Sequence, residues 1–280
     1  MSYPYNSQLV IACAYSLHVA DLRNKLDALS KRLGLKLHGI IVSNHKEALP
    51  SNDSDWNYIH GSNSDHDFSA YIEGLKHCLA LNEQPPSSIL FINDSLFSIH
   101  SAYANAQETL KYRDLVEKLQ VPAICGKADK YLTLCHQNPW SRLNLYISTY
   151  CFLLNSIGMN ILLNLPSLAD ADGIDRNLAI SDEAWGVNLP AAFREFIRAF
   201  LLYGHPSFVW PGLGRYSTDA KLISTKARCI YLEHRLSGEI GKHGCVIPNN
   251  VHIRANYRLY LSEKLASLRC SILNLRKRWI

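Results

Sequence analysis

Apolar residues in the first hundred positions fall into two alternating patterns. Short, nearly unbroken runs, "QLVIACAYS", "LKLHGIIVSN", "WNYIHGSN" and "SILFI", have the length of buried strands. Longer stretches with helical spacing lie between them. In "HVADLRNKLDALSKRLG", Leu22, Leu26, Leu29 and Leu33 recur every three or four residues and Gly34 supplies a stop. "FSAYIEGLKHCLAL" reads as a second helix, and "PPSS" as the turn feeding the fourth strand. Strands alternating with helices predict α/β units around a mainly parallel central sheet.

Past residue 100, "SAYANAQETLKYRDLVEKLQ" predicts one further helix, and the pattern becomes less regular through "ISTYCFLLNSIGMNILLNLP". Residues 166 to 190, rich in Asp, Asn, Pro and Gly, suit an ordered binding loop or a lid. At the C-terminus, Leu261, Leu265, Leu268, Ile272, Leu275 and Trp279 form a stripe flanked by Arg258, Lys264, Arg269, Arg276, Lys277 and Arg278. That stripe predicts a basic amphipathic helix, which packs on the domain, pairs with a second chain as a homodimer, or lies on an anionic membrane surface. The expected organisation is an α/β half over 1–127, a second half of the same domain over 128–253, and the helix over 254–280. No internal repeat or low-complexity segment interrupts it.

Composition narrows the class. With 280 residues, 48% apolar and 19% charged, the chain suits one large globular domain. A net charge of +5 is a mild basic bias, compatible with anionic substrates and with no signature of nucleic-acid binding. Eight cysteines lie among apolar neighbours without a CxxC pair, which predicts free thiols in a reducing cytosol. "LVIACAYSL" has no preceding positive charge, so it reads as a strand and not as a signal peptide. No apolar run approaches the ~20 residues that span a bilayer. The expected location is cytoplasmic, with peripheral attachment to the inner membrane if the C-terminal helix binds lipid.

Ligands of open α/β sheets bind beyond the C-terminal strand ends. The polar residues there are Ala14, Tyr15 and Ser16 after the first run, Ser43 and Asn44 after the second, Asn63 to Asp67 after the third, and Asn93, Asp94 and Ser95 after the fourth. Each has a structural alternative. Asn93-Asp94-Ser95 also reads as a turn bonded to its own backbone, and Asp65 and Asp67 as acids favoured at a helix start.

Three stretches carry a resemblance. "SNSDHDFSAYIEGL" is similar to "N-x-G-x-D-F-G-A-Y/W-x-x-G-L", with Asn63, Asp67, Phe68, Ala70, Tyr71 and Gly74 in place. "ILFINDSLF" is similar to a hydrophobic strand followed by N-D-S, and "LEHRLSGEIGKHG" to "E-D-x-x-L-S-x-R-I" followed by a glycine, with Glu233, Leu236, Ser237, Ile240 and Gly244 matching. Together they resemble the GT-A fold of nucleotide-sugar glycosyltransferases, closest to family 2 enzymes and the rhamnan synthesis protein F group. The matches run from about residue 9 to residue 247, with weak cover between 128 and 225.

The resemblance implies a Rossmann-like GT-A domain and an inverting glycosyltransferase. The donor would be a nucleotide diphosphate sugar and the acceptor a glycan or lipid-linked glycan of bacterial surface polysaccharide synthesis. A retaining transferase and a catalytically impaired scaffold subunit of a synthase complex are the alternatives. Glu233 would be the base that takes the acceptor proton, with Asp182 and Glu183 as runners-up. Glu233 also reads as a helix residue paired with Arg228 or Arg235. Ala14, Tyr15, Ser16, Asn44, Asn63, Asp65, Asp67, Asn93, Asp94 and Ser95 would line the donor site, and His252 and Arg254 would reach the leaving diphosphate. The D-x-D slot reads Asn93-Asp94-Ser95, with a hydroxyl where the last carboxylate would be, so Mg²⁺ or Mn²⁺ would rest on Asp94 and the diphosphate.

Overall fold

The computed structural model describes residues 6–82, 84–131, 134–204 and 219–249. His252, Arg254 and the expected C-terminal helix lie outside them. The described chain is α/β, with a seven-stranded mixed sheet and helices on both faces. Its elements are β1 (Ser7–Ala14), α1 (Val19–Leu33), β2 (Lys36–Ser43), β3 (Trp56–His60), α2 (Asp67–Leu81), β4 (Ser88–Asn93), the single turn α3 (Ser95–Ser98), α4 (Ala102–Leu110), α5 (Arg113–Lys118), β5 (Ala123–Lys130), β6 (Leu145–Asn155), α6 (Ser156–Ala171), α7 (Ala191–Arg198), α8 (Ala220–His243) and β7 (Cys245–Pro248).

The order across the sheet is β3-β2-β1-β4-β6-β5-β7. β6 is antiparallel to both its neighbours, and all other pairings are parallel. The alternation of β1 builds both faces. Leu9, Ile11 and Cys13 join the core under α2, α6 and α8, while Val10, Ala12 and Ala14 join the core under α1, α4 and α5. All eight residues of β1 are buried, as a strand covered by helices on both sides requires.

Two glycines are dictated by geometry. Gly34, with φ 64°, ends α1 in the left-handed conformation and donates its N–H to Lys31 and Ser30 carbonyls. Gly39 in β2 has φ 145°, and a Cβ there would stand 2.1 Å from the Val10 carbonyl oxygen, so only glycine permits this approach of β2 to β1.

The four early strands, α1 and α2 form where the periodicity places them. Two expectations are corrected. The helix expected over 101–120 is divided into α4 and α5 and is preceded by the separate turn α3, and the break at Lys111-Tyr112 lets Val116 reach the core beside Ala106. The irregular stretch is a strand running directly into a helix, β6 then α6, and α6 continues to Ala171, so the first residues of the supposed loop are helical. The β6–α6 boundary is set by Asn155. Its Oδ1 accepts from Gly158 and Ala123 N–H at 2.9 and 3.0 Å, and its Nδ2 donates to the Leu119 and Val121 carbonyls.

Candidate functional site

The strand order reverses between β1 and β4: the chain leaves β1 toward β2 and β3, then returns to β4 on β1's other side. Such a switch point opens a crevice at the C-terminal strand ends. Here it is bridged by Asp94. Its Oδ2 accepts three successive backbone N–H groups of the β1–α1 loop, from Tyr15 at 2.9 Å, Ser16 at 2.5 Å and Leu17 at 2.7 Å. Its own N–H donates to the Cys13 carbonyl, so the β1–β4 ladder runs to the tip. Asn93 organises the other side. Its Nδ2 donates to Asp67 Oδ2 at 2.5 Å, and its Oδ1 accepts from the Ser95 N–H and hydroxyl. The triplet is therefore a cross-brace between three loops, more than a turn bonded to itself.

Removing the buried Asp94 carboxylate takes the acceptor from three amides of a partly exposed loop. Asp94→Ala is therefore expected to cost about 2 kcal/mol of folding stability, since a hydrogen bond to a charged group contributes ~1.5–3 kcal/mol and water can reach the freed amides. Equilibrium urea unfolding reads this, and a midpoint equal to the parent's would show that the brace contributes nothing.

Asp65 is also committed internally. It receives Arg176 through two hydrogen bonds at 3.0 and 2.7 Å and pairs with Arg228 of α8 at 2.9 Å. Both Asp65 and Arg228 are almost wholly buried, at 3% and 2% side-chain exposure. Arg228 also reaches Asp170 and donates to the Ile174 and Pro166 carbonyls, which fixes the rotation of α8 against the sheet. Asp67 is half-buried beside the strand ends and takes no arginine among the described residues: its Oδ2 accepts from Asn93 and its Oδ1 from the Cys13 thiol at 3.8 Å, and burial raises its pKa despite the Lys226 charge and the Asn93 hydrogen bond.

Glu233 projects from α8 toward β6. Ile92 of β4 pairs with Cys151, so β6 residues before 150 extend past the end of β4 and expose backbone N–H groups there. Glu233 Oε1 accepts the Thr149 N–H at 2.8 Å and its hydroxyl at 3.0 Å; one turn on, Ser237 accepts the Ile147 N–H at 2.9 Å. Tyr71 donates its hydroxyl to the Thr149 carbonyl, which anchors the same residue from α2. Burial raises the Glu233 pKa, partly offset by the Thr149 hydrogen bonds and the Lys226 charge. A carboxylate with raised proton affinity at the strand ends is suited to accepting a proton.

Lys226 did not stand out in the sequence. It lies seven residues before Glu233 on α8, two helical turns away, with Cys229 between them on the same stripe. Its charge acts on Asp67, Glu233, Tyr15 and His66. The available signal was the spacing in "KARCIYLE", which becomes informative only once Glu233 is fixed as a reference point.

Asn44 and Asn63 are joined at 3.2 Å across an open groove of about 600 Å³ at the ends of β2 and β3, lined also by His45, Glu47, His60 and Ser62. Asn63 and His66 hold positive φ values of 52° and 51°, sparsely populated for such residues, in the loop leading to α2. Tyr15 packs its ring 5.0 Å from that of His66, and Ser16 is exposed beside it. Ala14 is fully buried, so it contributes backbone alone.

Asp182 and Glu183 stand in an exposed succession of turns, and not at a helix start. Asp182 Oδ1 accepts the Ala184 N–H, and the carbonyls of Asp182 and Glu183 accept from Arg198 and Arg194. These bonds tie them to α7 and its approach, and none joins them to the strand ends. Among the described residues, no group of three His, Cys, Asp or Glu side chains is arranged to hold a metal ion. No family model matches the chain, and no curated protein matches it significantly. No helix among the described residues is long and apolar enough to cross a membrane.

Next to Glu233, His234 is buried against Tyr131, whose hydroxyl lies 2.5 Å from its Nδ1, and against Tyr146 and Phe193. Burial lowers its pKa from 6.5 to about 3. The folded state thus holds it neutral while the unfolded chain protonates it. Its stabilising share is complete above pH 6.5 and is lost as pH falls from 6.5 toward 3. From pH 7 to pH 5 this group alone removes about 2 kcal/mol. His234→Gln should flatten the stability-versus-pH curve across that window, and a slope unchanged from the parent would contradict the assignment.

Proposed function

We propose that the chain is a GT-A-type glycosyltransferase that moves a sugar, with inversion, from a nucleotide diphosphate sugar to an acceptor hydroxyl of a glycan or lipid-linked glycan. The observation that carries this reading is that Glu233 and Asp67 are each held by a hydrogen bond to a residue at the strand ends around the β1–β4 switch point, with Lys226 two turns before Glu233 on the same helix. The order of the three sequence motifs supports it, because their residues meet around that crevice: Asp67 with Asn93, and Glu233 across Thr149 from Tyr71.

In the proposed reaction Glu233 takes the proton of the attacking hydroxyl, the oxygen bonds to the anomeric carbon, and the bond to the diphosphate breaks. One displacement with one base inverts the centre. The groove beside Asn44 and Asn63 would take the nucleoside, its amides meeting base and ribose edges. A divalent cation on Asp94 fits poorly, because Asp94 Oδ2 already accepts three N–H groups and no second carboxylate follows in the triplet.

The scaffold reading draws on one specific observation, the internal commitment of Asp65 and of Asp94 Oδ2 to structural bonds. Ligand and turnover measurements separate the two. UDP-, GDP-, dTDP- and CMP-sugars are tested by thermal shift and by slow donor hydrolysis. One nucleotide class should raise the melting temperature, since a ligand at 100 times its Kd adds about 2.7 kcal/mol, and should be hydrolysed. Binding without hydrolysis or transfer would support the scaffold, and no binding by any class would overturn the glycosyltransferase reading.

A further inference from the structure

We infer that the donor's diphosphate is held by the Lys226 ammonium without a divalent cation, in a site whose usual anion positions are already filled by the protein's own carboxylates. This rests on the glycosyltransferase reading and names the group that receives the leaving charge.

The first argument is occupancy. In nucleotide-binding α/β sheets, phosphates sit on successive backbone N–H groups after the first strand and at the start of the first helix. Here Asp94 Oδ2 takes the N–H groups of Tyr15, Ser16 and Leu17, and Glu47 Oε1 takes that of Val19 at 3.1 Å where α1 begins. A phosphate arriving at either place meets a carboxylate and amides already bonded. The same bonds weaken Asp94 as a metal ligand, for they draw charge from the oxygen a cation would use.

The second argument is placement. The rotation of α8 is fixed at Arg228 by Asp65 and at Glu233 by Thr149. That fixed rotation gives Lys226, Cys229 and Glu233 one shared stripe. Cys229 is buried in that stripe, in the same core as Cys13 of β1 and Phe68 and Tyr71 of α2, and α8 packs against α2, so the stripe looks onto β1 and α2. Lys226 stands about 10 Å from Glu233 along the helix axis, at ~1.5 Å per residue. A proton acceptor and a cation so separated can flank a sugar ring, one on the attacking side and one on the departing side. Negative charge growing on the diphosphate is then met by a fixed positive group.

Isothermal titration with inorganic pyrophosphate and with the three nucleoside diphosphates UDP, GDP and dTDP tests this. The parent, Lys226→Gln and Lys226→Arg are each titrated after EDTA treatment and again with Mn²⁺ added. Pyrophosphate and one nucleoside diphosphate should bind the EDTA-treated parent. Lys226→Gln should weaken both at least about tenfold, the share of one charge-assisted hydrogen bond. It should leave the corresponding nucleoside unaffected, and Lys226→Arg should recover most of the loss. Binding that appears only with Mn²⁺, or an unchanged affinity in Lys226→Gln, overturns the inference. Pyrophosphate bound through Lys226 with no nucleotide preference keeps the anion site and overturns the glycosyltransferase reading; no binding of any probe overturns both.

Discussion

Glu233→Gln is expected to keep donor affinity and to lose transfer by about 10²- to 10⁴-fold, the usual share of general base catalysis. The amide preserves shape, and its oxygen can still accept the Thr149 N–H and hydroxyl that now bond to Glu233 Oε1. The edge of β6 therefore stays capped and the fold persists, while proton acceptance is lost. Burial raises the carboxyl's pKa, so transfer by the parent should also rise with pH as the carboxyl ionises, and the glutamine variant should show no such rise. Initial rates across pH, paired with titration of the donor, check both statements. Transfer within a few-fold of the parent would remove Glu233 as the base. Asp182 and Glu183 would gain little from that result, because their bonds hold them at the α7 side in exposed turns.

Arg228→Ala should destabilise the chain by about 3–5 kcal/mol, the cost of leaving a buried charge without its partner. Asp65 would keep Arg176, whose side chain is 42% exposed, and would lose the buried partner that joins it to α8. The carbonyls of Ile174 and Pro166 would lose a donor as well. A double variant, Asp65→Asn with Arg228→Met, removes both charges and should recover a large part of the loss. Urea unfolding of Asp65→Asn, Arg228→Met and their double gives the coupling. If Arg228→Ala shifts the midpoint by less than a kilocalorie equivalent, the buried pair does not anchor α8.

How far the sequence revealed this arrangement depended on how locally each feature is encoded. β1, α1 and α2 are legible because each carries its own periodicity and, for α1, its own glycine stop. The β6–α6 boundary was hidden because apolar residues run through it unbroken. Only Asn155 marks the change, and its four bonds go to residues that periodicity cannot place. The site divides in the same way. Sequence position at strand ends draws attention to Asn93 and Asp67, which meet through a hydrogen bond. It says nothing of direction, so Asp65 and Asp67, two residues apart, look equivalent while one is bonded to arginines and the other to Asn93 and Cys13. Lys226 was invisible for a different reason: a lysine on an amphipathic helix looks solvated until the partner across the crevice is known.

The position of β6 between β4 and β5 also bears on how the chain is made. Synthesis runs from the N-terminus, and β5 leaves the ribosome before β6, yet β6 is its bridge to the rest of the sheet. Until residues 145 to 155 emerge, β4 presents an open edge and β5, buried over Ala123 to Gly126 in the finished protein, has no strand on either side. The nascent chain thus carries one open apolar edge on β4 and one unpaired apolar strand, β5, through that interval, which is the condition under which wrong pairings and aggregates form. Among the described strands β7 is made last, after α8, and it pairs beside β5 from Cys245 to Pro248. The first four strands can assemble early, but the crevice acquires Glu233 and Lys226 only once α8 has been made, and a ribosome-bound intermediate before that point would be a folded half-sheet lacking both side chains.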